Sequence, residues 1–167
     1  AKQNSAVICD EVFLDYALDP QTPICSLAGT TECLTFVLGG LSKAVGLPQM
    51  KLSWIVVSGP AEKGREANRR MEMICDTYLS VSTPAQNALS AWLTDGALVR
   101  EEIVKRIRKN HSALSSICSG GVKPLNAQGG WYAVLSLPQS IVEEEFCVRL
   151  LEEERVYVHP GYFFDFE

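Results

Sequence analysis

The sequence predicts an α/β domain, a mostly parallel sheet with helices on it, followed by a smaller α+β domain. Three observations carry this. Three apolar runs, Ser5 to Cys9, Leu34 to Leu38 and Trp54 to Val57, are separated by polar connections; such runs read as strands of a sheet covered on both faces. Beyond Pro60 the apolar residues recur at three- and four-residue intervals, as one face of a helix requires. Past Gly121 the pattern alternates strand, helix and strand.

Taken in order, the first run ends at Asp10-Glu11, so its strand delivers acids at the C-terminal end. The second is stopped by Gly39-Gly40 and the third by Ser58-Gly59-Pro60. Ala67, Met71, Ile74, Cys75 and Tyr78 then mark the apolar face of a helix. Thr83 is placed to cap a second helix and Pro84 to open it. Ala85, Ala88, Leu89, Trp92 and Leu93 carry that helix to an end near Asp95-Gly96. Ile103, Ile107, Leu114 and Cys118 predict a third, longer helix closed by Ser119-Gly120-Gly121. Trp131 to Leu135 reads as a strand, Ile141 to Glu153 as a helix with an acidic outer face, and Val156 to Val158 as a last strand. The domain boundary falls at the third helix, dividing the chain into residues 1–102 and 103–167.

Composition narrows the function classes. Apolar residues make up 47% and charged residues 21% of the chain, ordinary values for a globular protein. A net charge of -5 offers no basic surface for neutralising nucleic-acid phosphates. No apolar run approaches the ~20 residues that cross a bilayer, so neither nucleic acid nor membrane is an expected partner. The opening Ala1-Lys2-Gln3-Asn4-Ser5 is too polar for a secretory leader and runs straight into a strand pattern, which suggests a piece of something longer. The six cysteines are dispersed without a Cys-x-x-Cys pair, and His111 and His159 lie at no metal-ligand spacing. Disulfides and a metal are therefore not expected, and a reducing cytoplasm fits the cysteine usage.

The stretch that carries chemistry is Gly39-Gly40-Leu41-Ser42-Lys43-Ala44-Val45-Gly46-Leu47-Pro48. A lysine in a glycine-containing loop is by itself usually a solvated residue. Gly40, Leu41, Ser42, Lys43, Gly46 and Leu47, however, resemble the lysine signature of class I/II (fold-type I) aminotransferases, which depend on pyridoxal phosphate. The end of that signature departs, with Gln49, Lys51, Leu52 and Ser53 where a small or basic residue, an arginine, an apolar residue and a Gly or Ala are usual. Three further segments resemble the family in its own order: Asp10-Glu11-Val12-Phe13, Gln128-Gly129-Gly130-Trp131-Tyr132, and Val156 to Gly161 with Phe163 or Phe164. Together they run from Asp10 to Phe164.

This resemblance implies that the first domain is the C-terminal part of the fold-type I large domain and the second an incomplete small domain. It implies a parent enzyme that transaminates between an amino acid and a 2-oxo acid. Lys43 would hold the cofactor as a Schiff base and then carry protons as general base and acid. Asp10 would be the carboxylate that keeps the pyridine nitrogen protonated, whereas Glu11 reads as a bystander. Ser42 would donate a hydroxyl to the cofactor phosphate. Lys51, in the place of the usual arginine, would meet the phosphate as a point charge without the planar fork. Phe13 replaces the family's tyrosine and cannot hydrogen-bond the cofactor's phenolic oxygen, and Tyr16 is expected to pack or point outward. Trp131 and Tyr132 are expected at the base of the small domain, and Arg100, Arg106 and Arg108 on a solvated helix face.

Ser80 to Gln86 resembles a stretch that approaches the neighbouring subunit in family dimers, so the full-length protein is expected to be a homodimer. The family's other phosphate loop, its ring-stacking aromatic residue, its asparagine and its carboxylate-clamping arginine find no counterpart in these residues, so the piece alone is expected to be inactive. The alternatives are a lyase of the same fold and a ligand-sensing, aminotransferase-like domain of a transcription regulator.

Overall fold

A computed structural model of the chain describes residues 5–166. Ala1–Asn4, which the sequence reading takes as too polar for a leader, and Glu167 lie outside the described residues. The central strand, β2 (Leu34–Gly40), buries Thr35 and Val37 on one face, the two-residue period of a pleated strand. On one side β1 (Ala6–Asp10) pairs with it in parallel, from Ala6 opposite Leu34 to Asp10 opposite Leu38. On the other side β3 (Ser53–Ser58) pairs antiparallel, from Gly40 opposite Ser53 to Thr35 opposite Ser58.

The three apolar runs thus form one sheet, but full burial holds for none of them. Ile8 in β1 is 73% exposed, and Ile55 and Val56 in β3 are also exposed. An apolar run records that a strand has something to bury; only the layers laid on it decide whether it is buried. Gly39-Gly40 does not stop the second strand either, because both glycines belong to β2. The reason is close packing. A Cβ on Gly39 would stand 2.4 Å from Nε1 of Trp54, the residue opposite it in β3.

After β2 the chain makes one helical turn, α1 (Leu41–Ala44), and then a 3-10 turn at Pro48–Met50. Leu41, Val45, Leu52 and Ala85 form a buried cluster, with Trp54, Leu89 and Trp92 packed on it. The helix α2 (Ala61–Asp76) buries Ala67 and half-buries Met71, while Ile74, Cys75 and Tyr78 of the predicted apolar face are exposed. The two helices expected on either side of Asp95-Gly96 are one helix of 35 residues, α3 (Thr83–Ile117). Gly96 is no terminator there. It lets Val45 lie against the helix, since a Cβ on it would meet the Cβ and Cγ1 of Val45 at 2.5 Å.

The chain divides into two compact units, Ala1–Lys109 with Ala127–Trp131, and Asn110–Asn126 with Tyr132–Glu167. In the second, β4 (Lys123–Pro124) pairs antiparallel with β5 (Leu135–Ser136), and α4 (Glu143–Glu154) follows. Glu143 accepts a hydrogen bond from the N–H of Gly161 at 2.6 Å. The strand expected over Trp131 to Leu135 is reduced to Leu135–Ser136, and Val156 to Val158 forms no ladder among the described residues. Both segments carry the β-branched and aromatic residues that strands favour, but a strand exists only where a partner completes its hydrogen bonds.

Candidate active site

All five residues singled out in the sequence, Asp10, Phe13, Ser42, Lys43 and Lys51, lie in the first unit. Lys43 and Asp10 come to the same sheet edge for a topological reason. β1 and β2 are adjacent and parallel, and Asp10 is the last residue of one while Lys43 follows the last residue of the other by three. Such an edge, outside the carboxyl ends of parallel strands, is where open α/β sheets bind ligands. The Asp10 carboxylate caps the next turn, with Oδ1 accepting the Val12 N–H at 3.1 Å.

Phe13 and Trp131 stand beside the Lys43 amine. The Nζ of Lys43 stands 5.7 Å from the centre of the Phe13 ring and 4.6 Å from that of Trp131. An ammonium at these separations is attracted by the negative faces of the rings. Trp131, expected at the base of the small domain, is instead part of the first unit, where Gly129 bridges to Ala17 and brings it to Lys43. Tyr132 is 70% exposed in the second unit.

Ser42 is half-buried in α1 beside Lys43. Lys51 is exposed in a left-handed conformation at the end of the 3-10 turn, with φ 50° and ψ 41°. The N–H of Leu41 donates to the carbonyl of Leu52 at 3.0 Å, so the Lys51–Leu52 step is tied to the start of the turn bearing Ser42 and Lys43.

The structure adds residues that spacing does not reveal. Tyr16 is 1% exposed and donates its hydroxyl to the carbonyl oxygen of Lys43 at 2.5 Å. Burial pushes its phenol up from the ordinary 10.0; the Asp15 carboxylate adds to this and the Arg100 guanidinium opposes it. Arg100, read in the sequence as part of a solvated face, bonds Asp15 at 3.1 Å and the carbonyl of Ala44 at 3.5 Å. Arg108 donates twice to the carbonyl of Ala17, at 3.0 and 2.9 Å. Glu11 is no bystander to the fold: its carboxylate accepts the Ser26 hydroxyl at 2.6 Å and the Leu27 N–H at 2.7 Å. Beside it, burial and then the carboxylates of Glu11 and Asp10 push the Cys9 thiol above 9.0, which keeps it protonated and a poor nucleophile near neutral pH. The arginines sit at helical spacings that serve a solvated face equally well, and no sequence signal marks Tyr16 or Glu11 as structural partners.

The family model for aminotransferase class I and II matches residues 1–167. Nicotianamine aminotransferase 1 of Oryza sativa subsp. japonica is 30% identical over 93% of this chain and 34% of its own length. A glutamate–pyruvate aminotransferase of Haemophilus influenzae is 22% identical over 96% of this chain and 42% of its own. The chain thus spans about a third to two-fifths of these relatives. An aminotransferase structure from Escherichia coli superposes with a TM-score of 0.78 at 21% identity, covering 98% of this chain and 43% of that one. An aromatic aminotransferase from Pyrococcus horikoshii gives 0.76 at 22% identity, covering 99% and 44%. The fold is accordingly that of fold-type I enzymes, and the chain belongs to the class I and II aminotransferases.

Proposed function

We propose that the full-length protein is a pyridoxal-phosphate-dependent aminotransferase that moves an amino group from an amino acid to a 2-oxo acid, with Lys43 as its cofactor-bearing lysine. The observation that carries this is the shared edge of β1 and β2, where the Asp10 carboxylate and the Lys43 amine leave adjacent parallel strands. Their chemistry fits the cofactor: a primary amine for its aldehyde, a carboxylate for its ring nitrogen, and a hydroxyl and an ammonium for its phosphate. Pyridoxal phosphate, when bound, supplies the aldehyde and a ring that accepts the electrons left by a broken Cα–H bond.

Each residue then has a separate task. Lys43 would hold the cofactor through its amine, and that amine would carry the proton to and from the substrate Cα. Asp10 would accept the ring N–H, its negative charge favouring the protonated nitrogen. Ser42 would donate to the phosphate, and Lys51 would contribute a positive charge without an arginine's two parallel hydrogen bonds. Phe13 offers a ring face where a tyrosine would offer a hydroxyl, so the phenolic oxygen has no donor from this position.

Family membership further supports a homodimer working in the cytoplasm. No helix among the described residues is long and apolar enough to cross a membrane. The domain division after residue 102, with residues 103–167 as the small domain, stays part of this reading. The 167-residue chain alone is expected to be inactive, because it spans only 34% of the rice relative.

The test is direct. The full-length protein should develop visible absorbance on addition of pyridoxal phosphate, and Lys43→Ala should abolish it. Turnover should require a 2-oxo acid, with a donor panel that includes alanine, aromatic amino acids and nicotianamine, the donors named among its relatives and structural neighbours. Elimination without a 2-oxo acid would instead favour a lyase, and cofactor binding without any turnover a sensing domain.

A further inference from the structure

One buried side chain touches both the main chain of Lys43 and the two rings beside its amine. Tyr16 donates its hydroxyl to the main-chain carbonyl of Lys43 at 2.5 Å. Its ring meets Phe13 edge-on with centroids 5.9 Å apart and Trp131 with centroids 5.3 Å apart, and those two rings also meet edge-on at 5.1 Å. Phe13 and Trp131 are the rings beside which the Lys43 amine stands. At 1% exposure, Tyr16 is enclosed by protein.

We propose that Tyr16 is a positioning residue for Lys43, fixing its main chain through the carbonyl and its amine through the aromatic pair of Phe13 and Trp131. The proposal rests on the reading of Lys43 as the cofactor-bearing lysine. A long flexible side chain can place its tip in many positions, and a group that must reach a reacting carbon benefits from having that freedom removed beforehand. Anchoring the backbone removes freedom at the root. The ring faces remove it at the tip, because they attract the ammonium from a defined direction. Arg100 holds the adjoining carbonyl of Ala44 while paired with Asp15, the neighbour of Tyr16, so the same segment braces the turn twice.

The effect is readable without the cofactor. Lysine amines of the full-length apoprotein are reductively methylated with ¹³C-formaldehyde and observed by NMR; Lys43→Ala assigns the signal. Held beside two rings, the Lys43 methyl resonance should stand apart from those of the other lysines. It should move toward their common position in Tyr16→Phe and reach it in Trp131→Leu. In the loaded enzyme, Tyr16→Phe should lower kcat roughly tenfold per folded molecule while KM for the amino donor changes less than about twofold. An unshifted Lys43 signal in wild type, or a signal and kcat unchanged in both variants, would overturn the proposal. So would a loss of activity that only follows the loss of folded protein. Failure of the parent reading looks different: Lys43→Ala would then keep the visible absorbance, whatever the NMR signal does.

Discussion

Lys43 and Lys51 stand eight positions apart in one motif, yet the fold treats their turns differently. The Lys43 turn is built into the core: Leu41 and Val45 are buried on either side, and Tyr16 and Arg100 hold the carbonyls of Lys43 and Ala44. The Lys51 turn has its lysine exposed and its backbone left-handed, and among the described residues it is held by main-chain hydrogen bonds alone: Lys51 to Pro48 at 3.4 Å, Met50 to Leu47 at 3.3 Å and Leu41 to Leu52 at 3.0 Å. A residue that must meet a reacting atom needs its backbone fixed, because a small misplacement costs rate. A residue that offers only charge to a phosphate acts over a longer distance and tolerates a mobile stem. The difference in bracing matches the difference between the tasks proposed for the two lysines.

Three measurements would sharpen or break that contrast. The largest effect is expected at Gly96. In Gly96→Ala the new methyl would overlap Val45, and the overpacking cost of about 1–3 kcal/mol exceeds the roughly 1 kcal/mol that alanine gains in a helix. Denaturant unfolding of the full-length protein should give a net loss, and a gain would show that the Lys43 turn is not tightly packed on α3.

Next comes Tyr16. Its folded-state phenol is raised above 10.0 by burial, so its contribution to stability is fully present below the unfolded value. That contribution is lost as pH rises through the folded value. The unfolding midpoint should therefore fall more steeply above pH 10 in wild type than in Tyr16→Phe. Parallel curves for the two proteins would refute this.

The smallest effect belongs to Lys51. Lys51→Gly relieves the left-handed backbone but frees the unfolded chain, so stability should change by no more than about 1 kcal/mol. Affinity for pyridoxal phosphate should fall by less than about tenfold. A complete loss of cofactor binding would place Lys51 on a par with Lys43 and erase the contrast.

Much of this was open to reading in the chain itself. The α/β class followed from three apolar runs and a change of period after Pro60, because periodicity reports which faces have something to bury. Lys43 stands out through Ser42, Gly46 and the acids at Asp10-Glu11, which resemble the family's motifs in its own order. The sequence misleads where one residue serves two purposes. Gly96 looked like a helix end because glycine supplies that conformation, but its use here is to admit Val45. Arg100 and Arg108 looked like a solvated face because helical spacing does not say what lies across from it.

Local pattern, family and the candidate chemical residues are written along the chain. Which of those residues meet is settled by the fold alone. Tyr16 reaches the carbonyl of Lys43 from 27 positions away. Trp131 reaches its amine through the Gly129 bridge to Ala17. Contacts of this kind depend on how layers settle against one another, and an interaction between residues so far apart in the chain leaves no period or spacing in the sequence around either of them.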